Sequence, residues 1–130
     1  MKQIMNPDHV CKPVGQYSQC IKASGSQLVF VAGQVAVDEH GQLVGKGDIE
    51  AQARQVLTNI EALVRAAGGR MEDIVQTITY DTDIKKHVEG LRKVRAEFFG
   101  ADFPVGAKVE VKGLVHPDYL LEMTAIAVVE

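Results

Sequence analysis

The chain lacks the marks of several large protein classes. It has two cysteines, Cys11 and Cys20, in 130 residues, fewer than a secreted disulfide scaffold of this size normally carries. Cys20 falls in a strand-like run, residues 17–23, and is expected as a small buried apolar side chain. Cys11 lies in an irregular, proline-flanked stretch, so a Cys11–Cys20 bridge is an alternative to the free thiols expected here. No apolar run approaches the roughly 20 residues of a membrane span. Residues 1–10 hold no apolar signal-peptide core, and a cytoplasmic location is the default. No basic tract stands out, net charge is -3 and pI is near 5.8, so nucleic acid is not implied as a partner. The histidines His9, His40, His87 and His116 are scattered without metal-ligand spacing, and no metal is expected. Internal repeats and low-complexity segments are absent.

What is present suits one domain over residues 1–130, with 46% apolar residues to build its core. Residues 1–14 read as irregular, broken by Pro7 and Pro13. A strand over residues 17–23 follows, then a turn at Gly25-Ser26-Gln27. Leu28-Val29-Phe30-Val31-Ala32 is a continuous apolar run, expected as a strand buried on both faces. Gly33-Gln34 interrupts it before Val35-Ala36-Val37, and glycine in that place suggests a bulge or a close backbone approach.

The first helix is the clearest element. Ile49, Ala53, Val56, Ile60, Leu63 and Ala67 make one stripe, widened by Leu57 and Val64. Asp48 is a natural N-cap, and Gly68-Gly69 ends the helix. Residues 74–82 are rich in β-branched and aromatic side chains and read as a strand. A second helix carries Ile84, Val88, Leu91, Val94 and Phe98 at helical spacing, with Asp83 as its cap. Lys85, Lys86 and His87 lie near its positive end, which the helix dipole disfavours.

Residues 105–112 alternate. Val105, Ala107, Val109 and Val111 fall on one side; Gly106, Lys108, Glu110 and Lys112 fall on the other. The charged row is either a solvated sheet face or the wall of a cavity for a small polar molecule. After the break at His116-Pro117-Asp118, residues 120–129 form a last strand in which Glu122 is the one charge, so it stands at an edge or in a site. The order is strands, helix, strand, helix, strand, strand. This gives an α+β class with both helices on one sheet face, and with the other face covered by self-association.

Several segments resemble one family. Gly15-Gln16-Tyr17-Ser18-Gln19 resembles a GPYSQ signature, and Val31-Ala32-Gly33-Gln34-Val35 an SGQI motif. Asp48 to Ile60 is similar to the same family's first helix, and Phe103-Pro104 and Glu122 fall in matching places. The family is RidA/YjgF, the reactive-intermediate enamine/imine deaminases, also called endoribonuclease L-PSP. The resemblance covers roughly residues 13–129. It implies a chorismate-mutase-like (ferredoxin-like) mixed sheet, assembled as a homotrimer with an inner barrel of sheets and clefts between subunits. It implies hydrolysis of 2-aminoacrylate-like imines to keto acids and ammonia, without a cofactor. Tyr17, Gly33 and Glu122 match the family's cleft tyrosine, its glycine and the glutamate that holds the attacking water.

The carboxylate-binding arginine does not match. The family's Pro-Ala-Arg reads Pro104-Val105-Gly106, a common cysteine two residues later is Lys108, and Thr124 replaces a frequent second acid. Residues 106 and 108 share a strand face about 7 Å apart, so Lys108 can reach over Gly106 to supply the positive charge. Against this, Lys108 can simply pair with Glu110 or Glu122. Three functions stay open on these residues: enamine/imine hydrolysis with Tyr17 and Glu122 catalytic, binding of a small metabolite or partner without turnover, and deamination of a different substrate such as an aminomuconate-type compound. Ribonuclease activity has no support, because no His/Lys pair or basic groove is evident.

Overall fold

The computed structural model describes all 130 residues. Its elements are β1 (Lys2–Met5), β2 (Cys20–Ala23), β3 (Gln27–Gln34), α1 (Ile49–Ala66), a 3-10 turn (Met71–Asp73), β4 (Ile74–Asp81), α2 (Ile84–Phe99), β5 (Val105–Glu110) and β6 (Leu121–Val129). The main sheet runs β3-β6-β4-β5, with β4 and β5 parallel and the other pairs antiparallel. β1 and β2 pair separately as a two-stranded antiparallel sheet. The chain is thus an α+β fold with two helices packed on one face of a mixed sheet.

Each helix begins where a carboxylate can take an orphan backbone N–H. Asp48 accepts from Ala51 N at 3.1 Å, and Asp83 accepts from Lys86 N at 3.2 Å. Glu110 Oε1, arriving from the end of β5, accepts from Ile84 N at 2.9 Å and adds negative charge at the start of α2. The end of α1 is closed by Gly68, whose φ of 85° suits a residue without a β-carbon. The buried stripe of α1 is Ala53, Val56, Leu57, Ile60 and Val64, while Leu63 turns outward. Arg54 and Glu97 form a two-pronged ion pair (2.8 and 3.1 Å) between the helices. Gln52, wholly buried, accepts from Leu120 N at 2.9 Å and donates to Asp118 O at 2.8 Å and Gly45 O at 3.1 Å, fixing the approach to β6.

β6 lies between β3 and β4 and alternates strictly. Leu121, Met123, Ala125, Ala127 and Val129 are buried under the helices, and the intervening residues face the other way. The same division fixes β4, where Thr77, Thr79 and Asp81 are buried on the helix side.

Four sequence expectations need correction. Residues 28–32 are not buried on both faces: Val31 is buried, but Leu28 and Phe30 stand 63% and 71% exposed on the uncovered face. A one-sided strand can look continuous in sequence when its outer face is also apolar. Cys20 is exposed rather than buried, and both cysteines are free thiols. Residues 1–14 are not wholly irregular, because Lys2–Met5 pairs with Cys20–Ala23 and takes up that strand's backbone groups. The strand expected over residues 17–23 begins only at Cys20. The glycine interruption in β3 does mark an irregularity: the β3–β6 register shifts between Val31 and Gln34.

Candidate functional site

Strand register decides which candidate side chains can meet. Lys108 lies opposite Thr79, and Gly106 opposite Thr77, on the helix-facing side of the sheet. Val105, Ala107 and Val109 therefore take the uncovered side. Glu122 lies opposite Tyr80 between the buried Leu121 and Met123, so it too points to the uncovered side. Lys108 and Glu122 thus project from opposite faces, two strand spacings apart, roughly 10 Å. The candidate residues form two groups.

The first group lines a cavity of about 230 Å³ at the β5 edge. Tyr17, Gly106 and Lys108 all face it, together with Thr77, Thr79 and, from α2, Arg92 and Arg95. The Gly15–Ser18 segment is fastened across this opening. Gln16 Nε2 donates to Arg92 O at 2.8 Å, Gln16 O accepts from Arg95 Nη2 at 3.3 Å, and Ser18 Oγ donates to Phe103 O. These contacts hold Tyr17 between α2 and the Phe103-Pro104 corner. The tyrosine hydroxyl accepts a long bond, 3.4 Å, from Val14 N.

Arg95 is the residue that sequence reasoning missed. It is 8% exposed, and no carboxylate pairs with it. Its guanidinium stacks near the rings of Phe99 and Phe103, at 5.3 and 5.8 Å from their centroids. Burial lowers its pKa to about 10. Lys108 also lies below the usual lysine range. Partial burial is the main cause and the positive charge of Arg95 comes next; Asp81 pulls upward and Arg92 pulls down. Neither Glu110 nor Glu122 forms an ion pair with Lys108, since Glu110 is engaged at the start of α2. No acidic residue lines the cavity.

Gly106 does not simply leave room for a side chain. A β-carbon there would stand 1.8 Å from Thr77 O and 2.9 Å from Thr77 C, so the position points into β4. The cation in the cavity comes instead from α2 and from two residues further along β5.

The second group is Gly33 and Glu122. A β-carbon on Gly33 would come within 2.3 Å of Glu122 Oε2, so the bare glycine lets the carboxylate lie directly over the β3 bulge. Glu122 is half-buried and makes no hydrogen bond or ion pair. Thr124 points to the same uncovered face, opposite Ile78.

Beside the cavity, His87 and Asp81 form a buried pair with Nδ1 2.6 Å from Oδ1. Asp81 Oδ1 also accepts from Asp83 N at 2.9 Å, while Oδ2 has no partner. This pair gives His87 a structural reason that spacing did not supply, while Lys85 and Lys86 stay exposed. No three His, Cys, Asp or Glu side chains converge as a metal site. No helix is long and apolar enough to cross a membrane.

The fold and the two groups define a small chorismate-mutase-like α+β protein with an anion-attracting cavity at its sheet edge. Residues 8–129 match the model of the endoribonuclease L-PSP family, and the chain belongs to that family, the RidA/YjgF proteins. It is 39% identical over 127 residues to a RutC family protein of Pyrococcus horikoshii, covering 98% of each chain. Among solved structures it resembles YyfB, a conserved Rid family protein from Yersinia pestis, with a TM-score of 0.89, 29% identity and 98% of each chain covered. It also resembles E. coli TdcF, solved with bound serine, with a TM-score of 0.70 and 30% identity over 97% of this chain and 98% of that one.

Proposed function

We propose that this protein is a cytoplasmic homotrimer that hydrolyses 2-aminoacrylate-like enamines and imines to keto acids and ammonia. The observation that carries this reading is the cavity where Tyr17 stands beside Lys108 and Arg95, two cations without a carboxylate partner. A 2-imino acid brings the negative charge that this cavity lacks. The bound serine of TdcF, a molecule of the same size class with its own carboxylate, supports the choice. Arg95 offers a planar fork and Lys108 a point charge, so the arginine is the better orienting group.

The enamine first tautomerises to the imine. Water then adds to the imine carbon: the C–O bond forms, the C=N electron pair moves to nitrogen, and nitrogen takes up a proton. Glu122 accepts one water proton and delivers it to nitrogen, giving the carbinolamine; it then takes the hydroxyl proton and passes that to the amine, so that the C–N bond breaks and ammonia leaves as the carbonyl forms. The reading needs neither a metal nor an organic cofactor. Glu122 and Lys108 project from opposite faces, so the glutamate and the bare Gly33 reach the cavity from a neighbouring copy. The uncovered face, with Leu28 63%, Phe30 71% and Val109 43% exposed, supports such an assembly.

The test is pyruvate release from a dehydratase that generates 2-aminoacrylate. The wild-type protein should accelerate it and Glu122→Gln should not; no acceleration by the wild type overturns the reading. One observation favours a second function, metabolite binding without turnover: position 106 is closed against Thr77 O, so the family's own arginine has no place there. Keto-acid binding combined with no acceleration would select that function.

A further inference from the structure

We infer that the cavity prefers a dianion, a short-chain 2-imino dicarboxylate, over the monocarboxylate that one cation would hold. This rests on the reading of the cavity as the substrate site and names its substrate class. Three cations face it from two walls: Arg92 and Arg95 from α2, and Lys108 from β5. Arg95 makes one long hydrogen bond, to Gln16 O, and has no acidic partner. Lys108 has no ion pair. Arg92 is held only at the surface, its Nη1 3.6 Å from Glu89 Oε1, where both side chains are mostly exposed. A single carboxylate would leave two like charges facing each other, and mutual repulsion is already felt by Lys108.

The arrangement suits two separated carboxylates better than a phosphate. Phosphate sites gather backbone N–H groups at a helix start, whereas Arg92 and Arg95 lie in the later half of α2. The buried Arg95 and the more open Lys108 beside it sit with Tyr17 and take the carboxylate next to the imine. Arg92, at the rim, takes the distal one. The imine of an acidic amino acid has this form, and its hydrolysis gives a 2-oxo dicarboxylate and ammonia.

The test is calorimetric titration of the full chain at low salt with 2-oxoglutarate, with 2-oxopentanoate (the same carbon chain ending in methyl) and with inorganic phosphate. 2-Oxoglutarate should bind about tenfold tighter than 2-oxopentanoate, the effect of one charge-assisted contact. Arg92→Gln should remove most of that preference while lowering 2-oxopentanoate affinity less than about threefold. Equal affinities, a preference that survives Arg92→Gln, tighter binding of phosphate, or no binding of either keto acid would overturn the inference. Selective 2-oxoglutarate binding without imine turnover would leave it standing and sink the hydrolase reading. Turnover of a monocarboxylate imine with no dicarboxylate preference would do the reverse.

Discussion

The backbone oxygen of Thr77 occupies the place where a side chain on Gly106 would begin, 1.8 Å from an ideal β-carbon. Since the obstacle is backbone, Gly106→Ala must push β5 away from β4. A cost of about 1–3 kcal/mol is expected, as for other overpacked sites. Urea denaturation should show a lower midpoint with an unchanged slope. Gly106→Arg should be destabilised at least as much and gain no deaminase activity, because its guanidinium would arrive on a displaced strand.

His87 and Asp81 should be worth most as a pair. His87→Ala leaves the wholly buried Asp81 with Asp83 N as its one remaining partner. A loss of about 3–5 kcal/mol is expected for breaking a buried pair from one side. Replacing both, with Asp81→Val and His87→Leu together, should cost less than His87→Ala alone. A double-mutant cycle by chemical denaturation measures the difference.

Arg95 should be a stability cost retained for binding. Its folded pKa, about 10, lies below the ordinary arginine value. The native state therefore holds that proton less firmly than the unfolded chain does. The penalty is present at every pH below about 10, and it fades only as pH rises above that point. Arg95→Met should raise stability in the absence of ligand by about 1–3 kcal/mol, less a few tenths for the lost ring contacts. It should also abolish the rise in melting temperature that 2-oxoglutarate gives the wild type. Thermal denaturation with and without the keto acid reads both effects.

Keto-acid affinity should fall with rising pH earlier than an ordinary lysine would dictate. The anion binds the protonated form of Lys108, whose pKa is lowered chiefly by burial and then by Arg95. Affinity is thus full at neutral pH and lost as pH climbs through that lowered value. Lys108→Arg should hold affinity to higher pH. Titrations from neutral into alkaline pH should show the two curves separating, with more proton uptake on binding for the wild type than for Lys108→Arg, which keeps only the share of Arg95, whose pKa is about 10.

Much of the fold could be read along the chain. The Asp48 and Asp83 caps, the Gly68 stop, the β4 strand and the β3 bulge at Gly33 all rest on local chemistry, and the structure has them in place. What could not be read depended on contacts distant in sequence. Lys2–Met5 becomes a strand only because Cys20–Ala23 lies beside it. Leu28 and Phe30 look like core because nothing local distinguishes a buried apolar face from one left uncovered. The charged row of β5 was visible, but the elements facing it were not. Arg95 had a usable signal: His87, Leu91 and Arg95 fall four apart and are all buried, so a cation sits on the inward stripe of α2.

The two-sided placement of Lys108 and Glu122 has a kinetic consequence. Under the proposed reading, a lone molecule can grip a keto acid but cannot present water to an imine. Dilution should therefore extinguish turnover while leaving ligand capture intact. Specific activity would fall steeply below the concentration at which copies separate, and the affinity measured per chain would stay level.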